Sequence, residues 1–170
     1  MKLKKVVDIC KKSGQLYITQ TEDAQWWGDG QAMYPVYDLP ELTAEDICIM
    51  YEITEEQRDK MIMNEKTVAE LGDIDLSPIK EKDESAEVVR MGLTFGGHAL
   101  VLLKTSSGIS FIKRKYLAPF REEVQFWKRK CAWGEYFVLT IGMFVCGVII
   151  PETLSRADIV AELKEIIDEL

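Results

Sequence analysis

The stretch VQFWKRKCAWGEYFVLTIGMFVCGVII, residues 124–150, decides the fold. It is rich in aromatic and β-branched residues, which suit a pleated, half-buried surface. It divides into strands at 124–130, 135–141 and 143–150. Gly142 is either a tight turn between two strands or a bulge within one long strand, and Pro151, which cannot donate to a ladder, stops the run.

The same strand-like pattern extends towards the N-terminus. Residues 109–113 follow a Ser106-Ser107-Gly108 hairpin signal, 88–91 and 99–104 flank Gly96-Gly97, and 116–120 ends at Pro119. Near the start, strands at 15–20, 24–27 and 31–36 are separated by Thr21-Glu22-Asp23 and Gly28-Asp29-Gly30. Pro35 marks an edge or a strand end.

Helices flank these runs. Leu3, Val6, Val7 and Cys10 have the spacing of a buried stripe on a helix over 2–13, with Gly14 as its cap. Thr43 with Asp46 and Thr54 with Gln57 form two capping boxes, each opening a helix, the second reaching about residue 63. Ser155 with Asp158 opens a last helix, striped by Ile159, Val160, Leu163, Ile166, Ile167 and Leu170. Residues 66–85, with Gly72, Pro78 and a charge run, read as a loop or linker. The expected class is α+β, with antiparallel meanders packed by amphipathic helices. The alternative is a β-barrel-like domain with a helical insertion at 40–70. Residues 1–170 form one domain, or two lobes, 1–80 and 86–170, joined by the charged linker.

The 170 residues are 47% apolar and 29% charged, with a net charge of -8. This is an ordinary globular composition, and the acidity argues against a protein that coats nucleic acid with its whole surface. His98 is the only histidine, which excludes multi-histidine zinc sites and two-histidine mechanisms. There is no Gly-rich phosphate loop. The four cysteines make no Cys-x-x-Cys pair, and three sit in apolar patterns, pointing to a reduced, cytoplasmic protein. The basic start is interrupted by Asp8, Lys11 and Lys12, so no signal peptide is expected. The longest apolar run has 14 residues, below the roughly 20 that a membrane helix needs.

No catalytic motif, metal site or cofactor site emerges. Trp26 and Trp27 beside Asp29 could stack a sugar or base, but core packing around a hairpin turn is the simpler reading. His98 and Cys131 could pair as nucleophile and base only if the fold brings them together. Glu81, Asp83, Glu84 and Glu87 lack calcium-loop spacing and read as a solvated linker. Met61 and Met63 form either an adaptable contact surface or ordinary packing.

Charge is segregated along the chain: net 0 over 1–40, -9 over 41–90, +6 over 91–130 and -5 over 131–170. The basic block comprises Lys113, Arg114, Lys115, Arg121, Lys128, Arg129 and Lys130, interleaved with aromatic residues. It has three readings: a surface for an anionic partner, a solvated sheet edge, or an internal complement to the acidic 41–90 segment.

Residues 16–36 align without gaps on 100–120, matching Leu16 with Leu100, Thr21 with Thr105 and Pro35 with Pro119. Ile112-Lys113-Arg114-Lys115-Tyr116-Leu117, the strands beginning at Val124, Glu135 and Met143, and Val148-Ile149-Ile150-Pro151 are together similar to a half-domain of DNA polymerase sliding clamps. That resemblance implies a duplicated, non-catalytic fold with helices on curved sheets and a replication-associated role. Residues 2–13, with five lysines, match the basic helices that line a clamp; the acidic C-terminal stretch does not. A chain this short could close a ring only by self-association.

The expected function is a non-catalytic cytoplasmic interaction module whose partner is a protein or nucleic acid, with self-association and no membrane. One alternative is an acidic regulator or decoy that binds a basic protein. The other is a small enzyme with a site assembled from distant residues.

Overall fold

The computed structural model describes residues 1–66 and 74–154. The predicted C-terminal helix lies outside these residues. The chain order is α1 (Leu3–Ser13), β1 (Gln15–Gln20), β2 (Gln25–Gly28), β3 (Ala32–Val36), α2 (Ala44–Met50), α3 (Glu55–Arg58), β4 (Ile62–Lys66), β5 (Glu84–Phe95), β6 (His98–Thr105), β7 (Gly108–Lys113), a 3-10 turn (Arg114–Leu117), β8 (Gln125–Cys131), β9 (Gly134–Ile141) and β10 (Phe144–Ile149). The strands form one mixed sheet, ordered β4-β1-β2-β3-β10-β9-β8-β5-β6-β7. Among the described residues, only the β1–β4 pair is parallel. The class is α+β.

The sheet bends, and its interior holds the main core. Val6, Val7 and Cys10 of α1, Leu16, Trp27 and Tyr34 of the first strands, Val101, Leu103 and Ile112 of β6 and β7, and Phe137 and Leu139 of β9 belong to one buried cluster. Glu152, just past β10, forms a backbone bridge with Phe111 of β7, tying the far edge back towards the middle of the sheet. Lys2 N–H donates to the Pro119 carbonyl at 2.7 Å and tethers the start of α1.

Local signals explain the elements. Gly14, at φ 71°, ends α1 in the left-handed region and returns its N–H to the Cys10 carbonyl. Both expected capping boxes form, at Thr43/Asp46 and Thr54/Gln57. Gly96 and Gly97 both have positive φ and make a two-residue hairpin loop. Gly142 is a turn: Ile141 pairs with Phe144, and positive φ at Gly142 but not Met143 is the II′ arrangement. A separate irregularity falls between Val145 and Gly147. Pro35 lies on β3 where the ladder to β10 has ended, since that ladder pairs only Ala32 and Met33.

Three expectations change. The helix expected to reach about residue 63 stops at Arg58, and Ile62–Lys66 is a strand. Pairing with β1, begun by Ile62 N–H on the Gly14 carbonyl at 2.8 Å, outweighs local propensity, with Met61 and Met63 turned to the core. Residues 116–120 are a 3-10 turn and bend rather than a strand: Ala118 and Phe120 N–H groups donate three residues back. The 84-residue offset therefore lays β1 and β2 on β6 and β7, but sets β3 against this turn. Finally, 74–83 is more than a solvated loop, because Ile74, Leu76 and Ile79 cover a second cluster built on Trp26, Met33, Tyr136 and Val138. Trp26 and Trp27 point to opposite faces and both are buried.

Two glycines allow a graded test. A Cβ at Gly28 would lie 1.8 Å from the Ala32 carbonyl oxygen, whereas one at Gly142, φ 60°, would meet nothing within 4 Å. Gly28→Ala should cost about 2 kcal/mol or more through a backbone clash, and Gly142→Ala about 1 kcal/mol through conformational strain. Urea denaturation of the two variants checks this order.

Candidate functional site

The structure separates the seven residues of the basic block. Arg129, on β8, is a brace. Its Nε and one terminal nitrogen donate to the two Asp83 carboxylate oxygens at 2.9 and 2.6 Å. The remaining N–H groups donate to the Asp75, Ser77 and Pro78 carbonyls at 2.7, 3.0 and 2.8 Å. All five guanidinium donors are therefore used. The side chains of Arg129 and Asp83 are 5% and 1% exposed.

Lys128 is also buried, with its ammonium 2.6 Å from Glu135 and 3.1 Å from the Ser107 hydroxyl. Glu135 accepts from Ser110, and Glu84 accepts from the Ser106 and Ser107 hydroxyls and the Ser107 N–H, so one polar network joins β5, β7, β8, β9 and the β6–β7 turn.

Lys113 and Lys115 enter a second knot, in a cleft of about 530 Å³. Lys113 pairs with Glu152 at 2.7 Å. Lys115 sits 3.4 Å from Asp29 and 4.6 Å from the centre of the Tyr116 ring. The other Asp29 oxygen caps the β2–β3 turn by accepting from the Gln31 and Ala32 N–H groups at 3.1 and 3.0 Å. The Tyr116 hydroxyl lies 3.1 Å from Asp29 and 2.8 Å from the Gln31 side-chain oxygen. Burial, reinforced by the Asp29 charge, pushes its pKa above the usual phenol range.

Distant residues thus do converge, as an assembled site would require. Asp29 already faces four donors, however, and both lysines are matched by carboxylates, so the arrangement is built as a brace between the β2–β3 turn and the 3-10 turn. Arg114, Arg121 and Lys130 are exposed, with no carboxylate partner among the described residues.

His98 and Cys131 lie in different hairpins, at the β5–β6 and β8–β9 turns. Burial pushes the Cys10 thiol well above its ordinary range and that of Cys146 up to about 12, which suits packing rather than nucleophilic chemistry. Of the acidic run, Asp83 and Glu84 join the braces while Glu81 and Glu87 are exposed; no metal-ligating cluster occurs among the described residues. No helix among them is long and apolar enough to cross a membrane.

Sequence reasoning missed a groove of about 810 Å³ at the β9–β10 hairpin. Met143 and Phe144 stand at its lip, 88% and 77% exposed. Trp26 and Val145 line it within, and Tyr37 spans it, donating its hydroxyl to the Val145 carbonyl at 3.1 Å. Leu76 and Pro78 supply a wall from the segment that Arg129 holds. Glu22, Asp23 and Asp38 also line the groove, without a cation partner among the described residues. The Thr21 turn fixes the first two: its hydroxyl accepts from the Ala24 N–H at 3.1 Å. Burial, then the Asp23 charge, raises the Tyr37 pKa. The available signal was Gly142-Met143-Phe144, a hairpin turn carrying large apolar residues at its tip.

Comparison with protein-family models, curated proteins and solved structures returns no match in any of the three.

The braces make stability pH-dependent. Burial opposes ionisation of Asp83, but Arg129 overrides it and lowers the pKa. Burial is likewise outweighed at Asp75 by hydrogen bonds from Lys80 and Ser77, and the Ser106 and Ser107 hydroxyls bring Glu84 down to about 2. Groups with depressed folded-state values contribute fully above the unfolded carboxylate range and lose that contribution as pH falls through their folded values. The melting temperature should therefore be nearly level from about pH 7 to 5 and fall below about pH 4. Asp83→Asn should lower it at neutral pH and flatten the acid limb, as thermal melts across pH would record.

Proposed function

We propose that the protein is a non-catalytic interaction module whose acidic surface engages a basic segment of a protein partner. The observation that carries this reading is the division of the charges. Lys113, Lys115, Lys128 and Arg129 are matched internally by Glu152, Asp29, Glu135 and Asp83. By contrast, Glu22, Asp23, Asp38, Glu41, Glu45 and Glu52 are exposed without a cation partner among the described residues. Among the described residues, exposed Asp and Glu outnumber exposed Lys and Arg, a balance that attracts cationic partners and repels polyanions. Free cysteines, two of them buried, fit the proposed cytoplasmic setting.

A second reading keeps the clamp-like role, with internal duplication and self-association. It is favoured by the α1 surface, where Lys2, Lys4, Lys5 and Lys12 are exposed, and by exposed Arg114, Arg121 and Lys130. The two readings forecast opposite binding. At ~50 mM salt, where non-specific DNA contacts are strong, fluorescence anisotropy should detect a labelled polylysine but no duplex DNA. Polylysine affinity should fall as salt rises. DNA binding that weakens steeply with salt and is lost on replacing Arg114, Arg121 and Lys130 with alanine would favour the clamp-like role instead.

A further inference from the structure

We infer that the Met143–Phe144 groove is the docking site for a partner segment that combines an apolar anchor side chain with flanking lysines or arginines. This rests on the acidic-module reading and adds where the partner sits and what it must carry.

The apolar part follows from exposure. Met143 and Phe144 are the two most exposed large hydrophobic residues among those described, and they adjoin Tyr37, itself half exposed. Adjacent large apolar side chains at a hairpin tip, opening onto an apolar hollow, mark a contact surface rather than scattered surface residues. The hollow is preformed: a II′ turn sets the tip, the Tyr37 hydroxyl crosses to β10, and Arg129 fixes the 75–78 wall. A partner side chain entering it would need little reordering.

The charged part follows from Glu22, Asp23 and Asp38. They sit around the hollow with no cation to match them among the described residues, so an occupant should bring ammonium or guanidinium groups on either side of its apolar anchor. The same carboxylates disfavour an anionic lipid surface, although Met143 and Phe144 alone would suit one.

The test uses the whole chain and a short fluorescein-labelled peptide of leucines flanked by lysines. One control replaces the leucines with serine and another replaces the lysines with glutamine. The wild type should bind the lysine–leucine peptide about tenfold more tightly than the lysine–serine control, the advantage expected of one buried anchor. The glutamine control should bind far more weakly. Phe144→Ser and Met143→Ser should erase the tenfold preference while leaving lysine–serine affinity unchanged; both side chains lie outside the core, and circular dichroism verifies the fold. Glu22→Gln with Asp23→Asn should weaken both lysine peptides and flatten the salt dependence.

A preference that survives Phe144→Ser overturns the groove assignment and leaves the acidic-module reading standing, as does equal affinity for the two lysine peptides. Failure to bind either lysine peptide overturns the acidic-module reading itself. A dimer by light scattering that dissociates in Phe144→Ser assigns the groove to a second copy and overturns the partner proposed here.

Discussion

Arg129 is the constraint on which the rest of the structure depends. A guanidinium presents five donors in a rigid fork, and burying it without partners for all of them would be costly. Here Asp83 takes the fork from one side, and three backbone carbonyls at Asp75, Ser77 and Pro78 take the remainder. A polar, irregular segment is thereby held against the sheet, where its apolar residues Ile74, Leu76 and Ile79 can cover Trp26 and Tyr136. Without that attachment, the second face of the sheet would lose its cover and the groove would lose a wall.

The same economy of charge explains the surface. Lys113, Lys115, Lys128 and Arg129 are drawn inward to carboxylates on neighbouring elements, whereas Arg114, Arg121 and Lys130 stay at the surface. Ion pairs of this kind add little net stability when compared with well-packed apolar side chains, but losing one partner is expensive. Their clearest effect here is positional: Lys113 with Glu152, Lys115 with Asp29 and Arg129 with Asp83 join elements far apart in sequence.

Much of the fold was legible because its signals are local. The α1 stripe, the Gly14 cap, the two capping boxes and the hairpins at Gly96-Gly97 and Ser106-Ser107 depend on neighbouring residues and can be read from spacing. What was not legible depends on partners distant in sequence. Nothing near Ile62 announces a parallel strand, since its pairing is set by β1 about 45 residues away. Gly142 stayed ambiguous because a turn and a bulge demand the same residue. Charge counting raised internal pairing as one of three readings, but it could not say that Arg129 would meet Asp83 while Arg114 stayed outside. The groove escaped notice because its lining comes from four separate stretches, and only Met143 and Phe144, placed at a turn, hinted at it.

The central claim, that Arg129 braces the protein from within and is not a cation held out for a ligand, is tested most directly by a double-mutant cycle on stability. Arg129→Met and Asp83→Leu are made singly and together, and each is unfolded in urea. The account predicts that each single change costs about 3–5 kcal/mol, because each strands the opposite buried charge. Together they should cost less than the sum by roughly 1–3 kcal/mol. An Arg129→Met variant within about 0.5 kcal/mol of the wild type, as for an ordinary surface cation, or two costs that simply add, would contradict it.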